Sequence, residues 1–293
     1  MIDVTRLFWP AVVVVVLGTA CVFDRQGFSG PHPDSLVGVD QALDAAGQAD
    51  RALDVTVAPE AGVDAAADTA APDTLAPDLL PPLEPLAHWR FDTGSGPTAY
   101  DSAAASHGKI VNASWTPGGH TGNALVFNGS SSLVEVPHSS KLDLTDAISI
   151  VAWVKADAVD VRQVIVSKTA SGNNTWLFEI NPIDFSVGIA SLFLNTTASA
   201  GGGDYLGSKS AVAKGAWQHL ACVYDGQHRR IYLNGSLDSS APHTGKIHTN
   251  GLPIRIGTWS SNSRYFKGII DEVAIFDSAL SAAEVKRIYT NGL

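Results

Sequence analysis

The 293-residue sequence predicts an all-β domain, an antiparallel sandwich or barrel closed by one short C-terminal helix, preceded by a signal segment and a disordered linker. Three observations carry this. From Leu86 onward, short apolar-alternating runs are separated by Gly, Asn, Asp, Pro and Ser, the texture of many strands joined by tight turns. Ahead of them, residues 22–85 hold 12 acidic and only two basic side chains, and no Phe, Trp or Tyr follows Phe28 in that stretch. At the start, the apolar run Pro10–Leu17 ends in the small residues Gly18, Thr19 and Ala20, then Cys21.

The first 21 residues form too short an apolar run to span a bilayer comfortably, and the small residues that end it read as the cleavage region of a secretory signal. Thr19-Ala20-Cys21 resembles a bacterial lipobox. That resemblance implies that Cys21 takes a lipid and becomes the mature N-terminus; Val22 behind it implies outer-membrane sorting. Without lipidation the chain would be secreted.

The linker, residues 22–85, carries the whole formal charge of -10. Its Asp, Ala and Pro tracts, such as Asp64–Asp78, cannot bury enough apolar surface to offset chain entropy. Like charges and prolines extend it, so its expected role is that of a spacer. The domain at 86–293 balances 16 acidic against 16 basic residues and has no basic run, which leaves no electrostatic footing for nucleic acid.

Within the domain, Ala147–Lys155, Gln163–Lys168, Thr175–Asn181, Trp217–Asp225, Arg230–Leu233, Ile254–Gly257 and Gly268–Phe276 read as strands. Asp225-Gly226 and Asn234-Gly235 supply the positive φ values that tight hairpins need. The helix is announced by Ser281-Ala-Ala-Glu284, a capping box, after which Val285, Ile288 and Tyr289 share one face.

Catalytic patterns are missing from the sequence. Glycoside hydrolysis needs two carboxyls across the scissile bond, and no strand carries a closely spaced carboxylate cluster. Asp271 and Glu272 are adjacent, and strict alternation sends them to opposite faces. Cys222, in the apolar run His219–Tyr224, reads as a small buried hydrophobe with no partner for a disulfide inside the domain. Aromatic rings on loops are the candidates for ligand contact, because their faces stack on the apolar CH face of a sugar. These are Trp115, Tyr205 at the end of a Gly-rich loop, and Trp259, with Asn262 and Arg264 placed to bond hydroxyls. Trp153 and Trp217 read as core.

Several segments in chain order resemble LamG-like jellyroll domains of the concanavalin A-like lectin/glucanase superfamily. They are His88–Asp92, Gly122–Gly129, Leu133–Pro137, Ile148–Val154, Trp217–Gly226, Ile231–Gly235, Ile254–Gly257, Phe266–Val273 and Ala279–Glu284. The resemblance implies an antiparallel jelly-roll β-sandwich. It also implies a structural Ca2+ held by Asp101, Asn128, the Gly129 carbonyl and Asp271, oxygen donors of the kind calcium prefers. Read without the family, Asp101 and Asn128 are turn caps and Asp271 bonds backbone or an Arg. The expected function is a non-catalytic cell-surface module that binds carbohydrate or matrix-type ligands and is tethered to the envelope. A structural or protein-interaction domain of the envelope, taking a surface protein as partner, is the alternative. A cleft lined by two carboxylates would instead favour an enzyme.

The Cys21→Ser substitution is expected to abolish incorporation of labelled fatty acid and to move the chain from the membrane to the soluble fraction. Unchanged labelling would refute the lipid anchor.

Overall fold

A computed structural model describes residues 82–182, 185–199, 202–259 and 263–293. All of them belong to the unit Asp68–Leu293; the unit before it, Met1–Ala67, lies outside them. The signal segment, Cys21, most of the linker and Asn262 therefore also lie outside the described residues. No helix among the described residues is long and apolar enough to cross a membrane.

The strands in chain order are β1 (Ala87–Trp89), β2 (Thr98–Ala99), β3 (Gly108–Val111), β4 (Ser114–Thr116), β5 (Ala124–Asn128) and β6 (Leu133–Val136). Then come β7 (Ile148–Ala156), β8 (Gln163–Ala170), β9 (Asn173–Ile180), β10 (Ile189–Leu194) and β11 (Asp204–Ala211). The last are β12 (Trp217–Tyr224), β13 (His228–Leu233), β14 (Ser236–Pro242), β15 (Ile254–Ile256) and β16 (Lys267–Phe276), and helix α1 (Ala282–Asn291) follows. They build two antiparallel sheets. One has the order β14-β13-β12-β7-β16-β5-β4, with β1 also paired to β16; the other runs β11-β10-β9-β8-β15-β6-β3-β2. This is a sandwich, of the two forms that the strand pattern allows, and the jelly-roll that the family resemblance implies.

The core lies between the sheets, and alternation chooses its members. Along β7, Ile148, Ile150, Ala152, Val154 and Ala156 face the core, as do Trp176, Phe178 and Ile180 along β9. The alternate residue Val151 faces outward with Ala221, Val223, Tyr232 and Phe276, and α1 covers them with Val285 and Ile288. Burial of each such aliphatic side chain contributes about 1.5–3 kcal/mol. The helix starts where Ser281 Oγ accepts from Glu284 N at 3.2 Å and Glu284 Oε2 accepts from Ser281 N at 2.7 Å, the reciprocal capping box. Cys222 is fully buried in the core, and burial pushes its thiol pKa up. The two-residue turn Asn234-Gly235 has φ values of 50° and 74° and joins β13 to β14 as expected.

One turn positions what lies outside the second sheet. After β15, Gly257 adopts φ 86°, its N–H donates to Ile165 O at 2.8 Å, and its carbonyl accepts from Phe266 N at 2.8 Å. A Cβ there would meet the Phe127 ring at 2.4 Å. Only glycine satisfies both the left-handed backbone and the contact. Beyond it, Ser167 Oγ holds the Thr258 carbonyl at 2.8 Å, which fixes where Trp259 leaves the sheet.

The adjacent carboxylates of β16 depart from the sequence expectation. The ladder with β7 shifts between Asp271 and Ala274, and Glu272 takes φ 49°. This bulge breaks strict alternation. Asp271 sits opposite Trp153, Glu272 lines a cavity of about 230 Å³ with Trp153, His120 and His219, and the Glu272 charge acts on Asp271. The two carboxylates are nonetheless committed elsewhere. Asp271 Oδ2 accepts from His120 N (2.8 Å) and Thr121 N (3.1 Å), while Glu272 Oε2 contacts His88 Nε2 at 2.6 Å. His219 is fully buried beside them, and neither ring nitrogen has a hydrogen-bond partner; burial, then the neighbouring His120, pushes its pKa down to about 3.

Two outcomes follow from these features. Gly257→Ala is expected to destabilise the fold by about 2–4 kcal/mol in urea unfolding, from left-handed strain plus overpacking on Phe127; a loss below about 0.5 kcal/mol would contradict the stated packing. Asp271 carries a pKa pushed up to about 7, from an ordinary 3.8, chiefly by burial and then by Glu272, against three backbone donors. A raised carboxylate stabilises the fold fully below its unfolded pKa, and that contribution is lost as pH rises through the folded value. Between about pH 4 and pH 7 wild type should therefore lose up to about 4 kcal/mol that Asp271→Asn does not. Parallel stability–pH curves for the two proteins would sink this assignment.

Candidate functional site

The outward face of the second sheet carries a cleft of about 360 Å³, within the range of small-molecule sites. Its floor follows from strand register. Leu177 on β9 pairs with Phe193 on β10, and Phe193 pairs with Tyr205 on β11, so three apolar side chains form one cross-strand row. Val164 of β8 packs with Leu177 and Phe193, and Tyr205 and Trp259 lie partly buried against them. Phe193 and Tyr205 rings are 4.9 Å apart, with Phe185 edge-on to Tyr205 at 6.4 Å. Tyr205 thus stands on a strand, where the sequence reading had a Gly-rich loop. Gly203 ends that loop within reach of β10; a Cβ on it would strike Leu194 O at 2.1 Å.

The walls come from three connections. Arg162 rises from the approach to β8, Phe185 from the β9–β10 connection, and Trp259 with Arg264 from the β15–β16 connection. Beneath them lies Glu179, fully buried on β9. A buried carboxylate needs a charged, hydrogen-bonded partner. Arg162 supplies it as a two-pronged fork, Nε to Oε2 at 2.9 Å and Nη2 to Oε1 at 2.7 Å, and Nη2 also donates to the Tyr205 hydroxyl at 2.6 Å. Arg264 stacks on Trp259, its guanidinium carbon 4.3 Å from the ring centre, while its Nη1 lies 4.0 Å from Glu179 Oε2. The Arg264 backbone is held in the left-handed region at φ 56°, and its carbonyl accepts from Val164 N at 3.0 Å.

The electrostatics of the two arginines differ. Burial lowers the Arg162 pKa, but the Glu179 bonds and charge outweigh it and the net shift is upward. The Arg264 pKa is lowered, by burial first and by the neighbouring Arg162 charge second, with Glu179 opposing. Burial and then Glu179 raise the Tyr205 pKa, so its hydroxyl stays protonated at neutral pH.

Of the residues singled out in the sequence, Trp259, Tyr205 and Arg264 meet in this cleft. Trp115 does not. It lies on β4 of the other sheet, half-buried against the core, with Nε1 donating to Gly96 O at 2.9 Å. Arg162, Glu179, Phe185 and Phe193 were not anticipated. The available signal was Glu179 itself, a charge inside the apolar run Trp176–Ile180 that demands a partner. Trp153 is nearly fully buried, but outside the core between the sheets: it stacks on His120 at 3.4 Å and lines the cavity at Glu272, while Trp217 is half-buried.

The expected calcium donors are turned to the backbone. Asp101 Oδ1 accepts from His88 N and Ala103 N, and its Oδ2 from Ser106 N. Asn128 Oδ1 accepts from the N–H groups of Ser130, Ser131 and Ser132, closing the turn through Gly129. Asp271 holds the 119–121 turn as described. No three His, Cys, Asp or Glu side chains among the described residues gather into a metal-holding group. So arranged, the donors do not fit a calcium ion.

Comparison with known proteins places this geometry. No curated protein matches the sequence. Among solved structures, domain 4 of AbnA, an extracellular GH43 arabinanase from Geobacillus stearothermophilus solved with arabinotriose, superposes with a TM-score of 0.56 at 21% identity, covering 71% of this chain and 98% of that one. The binding domain of botulinum neurotoxin serotype G gives 0.54 at 16% identity, and the serotype D ligand binding domain, solved with N-acetylneuraminic acid, gives 0.53 at 15%. Each neurotoxin match covers 70% of this chain and 50% of the other, so the chain spans half the length of those domains. At such identities the likeness is one of fold. The family model of the laminin-G type, described as Concanavalin A-like lectin/glucanases superfamily, matches residues 128–286, more than half of the sequence. The chain belongs to the concanavalin A-like lectin/glucanases superfamily.

Proposed function

We propose that this chain is a non-catalytic binding module that takes carbohydrate in the cleft on the outward face of its second sheet. The observation that carries the reading is the cleft itself: a row of apolar and aromatic side chains with Trp259 and Tyr205 beside two guanidinium groups. Aromatic faces meet the CH faces of a sugar ring, and charged donors at their edges bond its hydroxyls. The oligosaccharide in the arabinanase domain and the sialic acid in the neurotoxin domain lend the reading support at the level of fold. The lipobox-like start and the acidic spacer support its display on a bacterial envelope, with the domain held out from the membrane.

The non-catalytic part of the proposal rests on the carboxylates. No carboxylate is among the described residues that line the cleft; Glu179 lies behind them, fully buried and bonded to Arg162. Asp271 and Glu272 share a face elsewhere but are bound to amides and to His88. Neither arrangement leaves a pair of carboxyls across an open bond-cleaving position.

A glycan array with the full chain tests the reading. Binding is expected to persist in chelator, to weaken about 30-fold or more in Trp259→Ala, and to stay within about threefold of wild type in Trp115→Ala. Equal losses in both variants, from folded proteins, would exclude the cleft as the site.

A further inference from the structure

The cleft holds more positive charge than its own carboxylate balances. Among the described residues, two guanidinium groups, Arg162 and Arg264, stand over a single carboxylate, Glu179. They do not share it equally. Arg162 takes both oxygens at 2.7–2.9 Å, whereas Arg264 approaches one of them only to 4.0 Å. Glu179 is sealed from solvent, so its charge is spent inside the protein. Arg264 is three-quarters covered, at 24% side-chain exposure, and is spread on the face of Trp259.

That placement is maintained against local cost. A non-glycine residue at φ 56° is uncommon, and strained residues gather at ligand sites. Here the Arg264 carbonyl bond to Val164 N and the Thr258 hydroxyl bond to Ser263 O at 2.8 Å hold the turn. A half-buried cation beside a second cation is stabilised by an anion arriving from outside. Its planar fork, lying over the Trp259 ring, suits a planar carboxylate whose sugar ring lies on the aromatic row.

We propose that the cleft selects sugars bearing a carboxylate, of the uronic or sialic type, with Arg264 as the residue that recognises the acid. This rests on the carbohydrate reading of the same cleft and goes beyond it. The ring contacts of Trp259 and Tyr205 serve neutral and acidic sugars alike; Arg264 supplies the discrimination.

The test compares matched pairs by calorimetric titration of the full chain: an oligogalacturonide against its carboxyl-reduced form, and a sialyl-oligosaccharide against its asialo form. At least one acidic member should bind about tenfold or more tightly than its neutral partner, and the pair that responds identifies the acid. In Arg264→Gln that ratio should fall to near one, because the acidic member loses far more affinity than the neutral one. Arg264→Lys, which keeps the charge without the fork, should retain part of the ratio. The wild-type ratio should also shrink between about 50 and 500 mM salt. Equal wild-type affinity within both pairs would overturn the acid selectivity and leave the carbohydrate reading standing. A folded chain that binds no member of either pair and no glycan on the array would overturn both.

Discussion

Side chains alternate along a strand, and this one constraint governs both what is stable and what is exposed here. Two sheets that share a core use every second residue for it, and the remaining residues must face something else. The first sheet answers with helix α1, whose Val285 and Ile288 cover Val151, Val223 and Phe276. On the second sheet Leu177, Phe193 and Tyr205 form a row that no helix among the described residues covers, and three connections rise around it. Placement of the candidate site follows from that asymmetry. The face with a helix is partly covered by its own chain, beside the cavity at Glu272; the other face keeps an aromatic floor.

The charge at the bottom of that floor explains the rigidity of its walls. A carboxylate with no solvent contact would be strongly destabilising alone, so Glu179 and Arg162 stand or fall together. Their fork fixes the approach to β8, and the further bond from Arg162 to the Tyr205 hydroxyl fixes the aromatic ring. On the other side Gly257, Thr258 and Arg264 are clamped to β8 through Ile165, Ser167 and Val164. A ligand entering the cleft meets groups already oriented, which lowers the entropy lost on binding.

Much of this architecture is legible in the sequence, for physical reasons. Alternation marks β7, β9, β12 and β16, turn residues such as Asn234-Gly235 mark hairpins, and Ser281 with Glu284 marks the helix start to the residue. Trp259, Tyr205 and Arg264 are visible as candidates because they border polar, Gly-rich stretches. Their meeting is not visible, since it depends on the sheet order β11-β10-β9-β8-β15, which joins segments more than fifty residues apart. The Arg162–Glu179 pair is hidden for a related reason: the β8–β9 ladder contains register shifts that no local pattern announces. The bulge at Asp271 defeats the alternation rule outright and brings Glu272 round beside the same cavity as His219. Trp115 misleads because a ring followed by Thr-Pro-Gly-Gly looks like a loop tip, yet it belongs to the edge strand β4.

The cleft divides its labour between a floor made of paired strands and walls made of three separate connections. Strand residues there are tied to the core on their reverse side, so replacing them alters stability. Apart from Arg162, which the buried Glu179 needs as its partner, the wall residues stand on connections whose tips can be exchanged while the framework persists. Outside that pair, recognition in such a molecule is separable from folding. Variants with new wall sequences, built on unchanged β8, β9 and β10, offer a way to diversify what this domain holds without rebuilding it, much as interchangeable jaws are fitted to one vice.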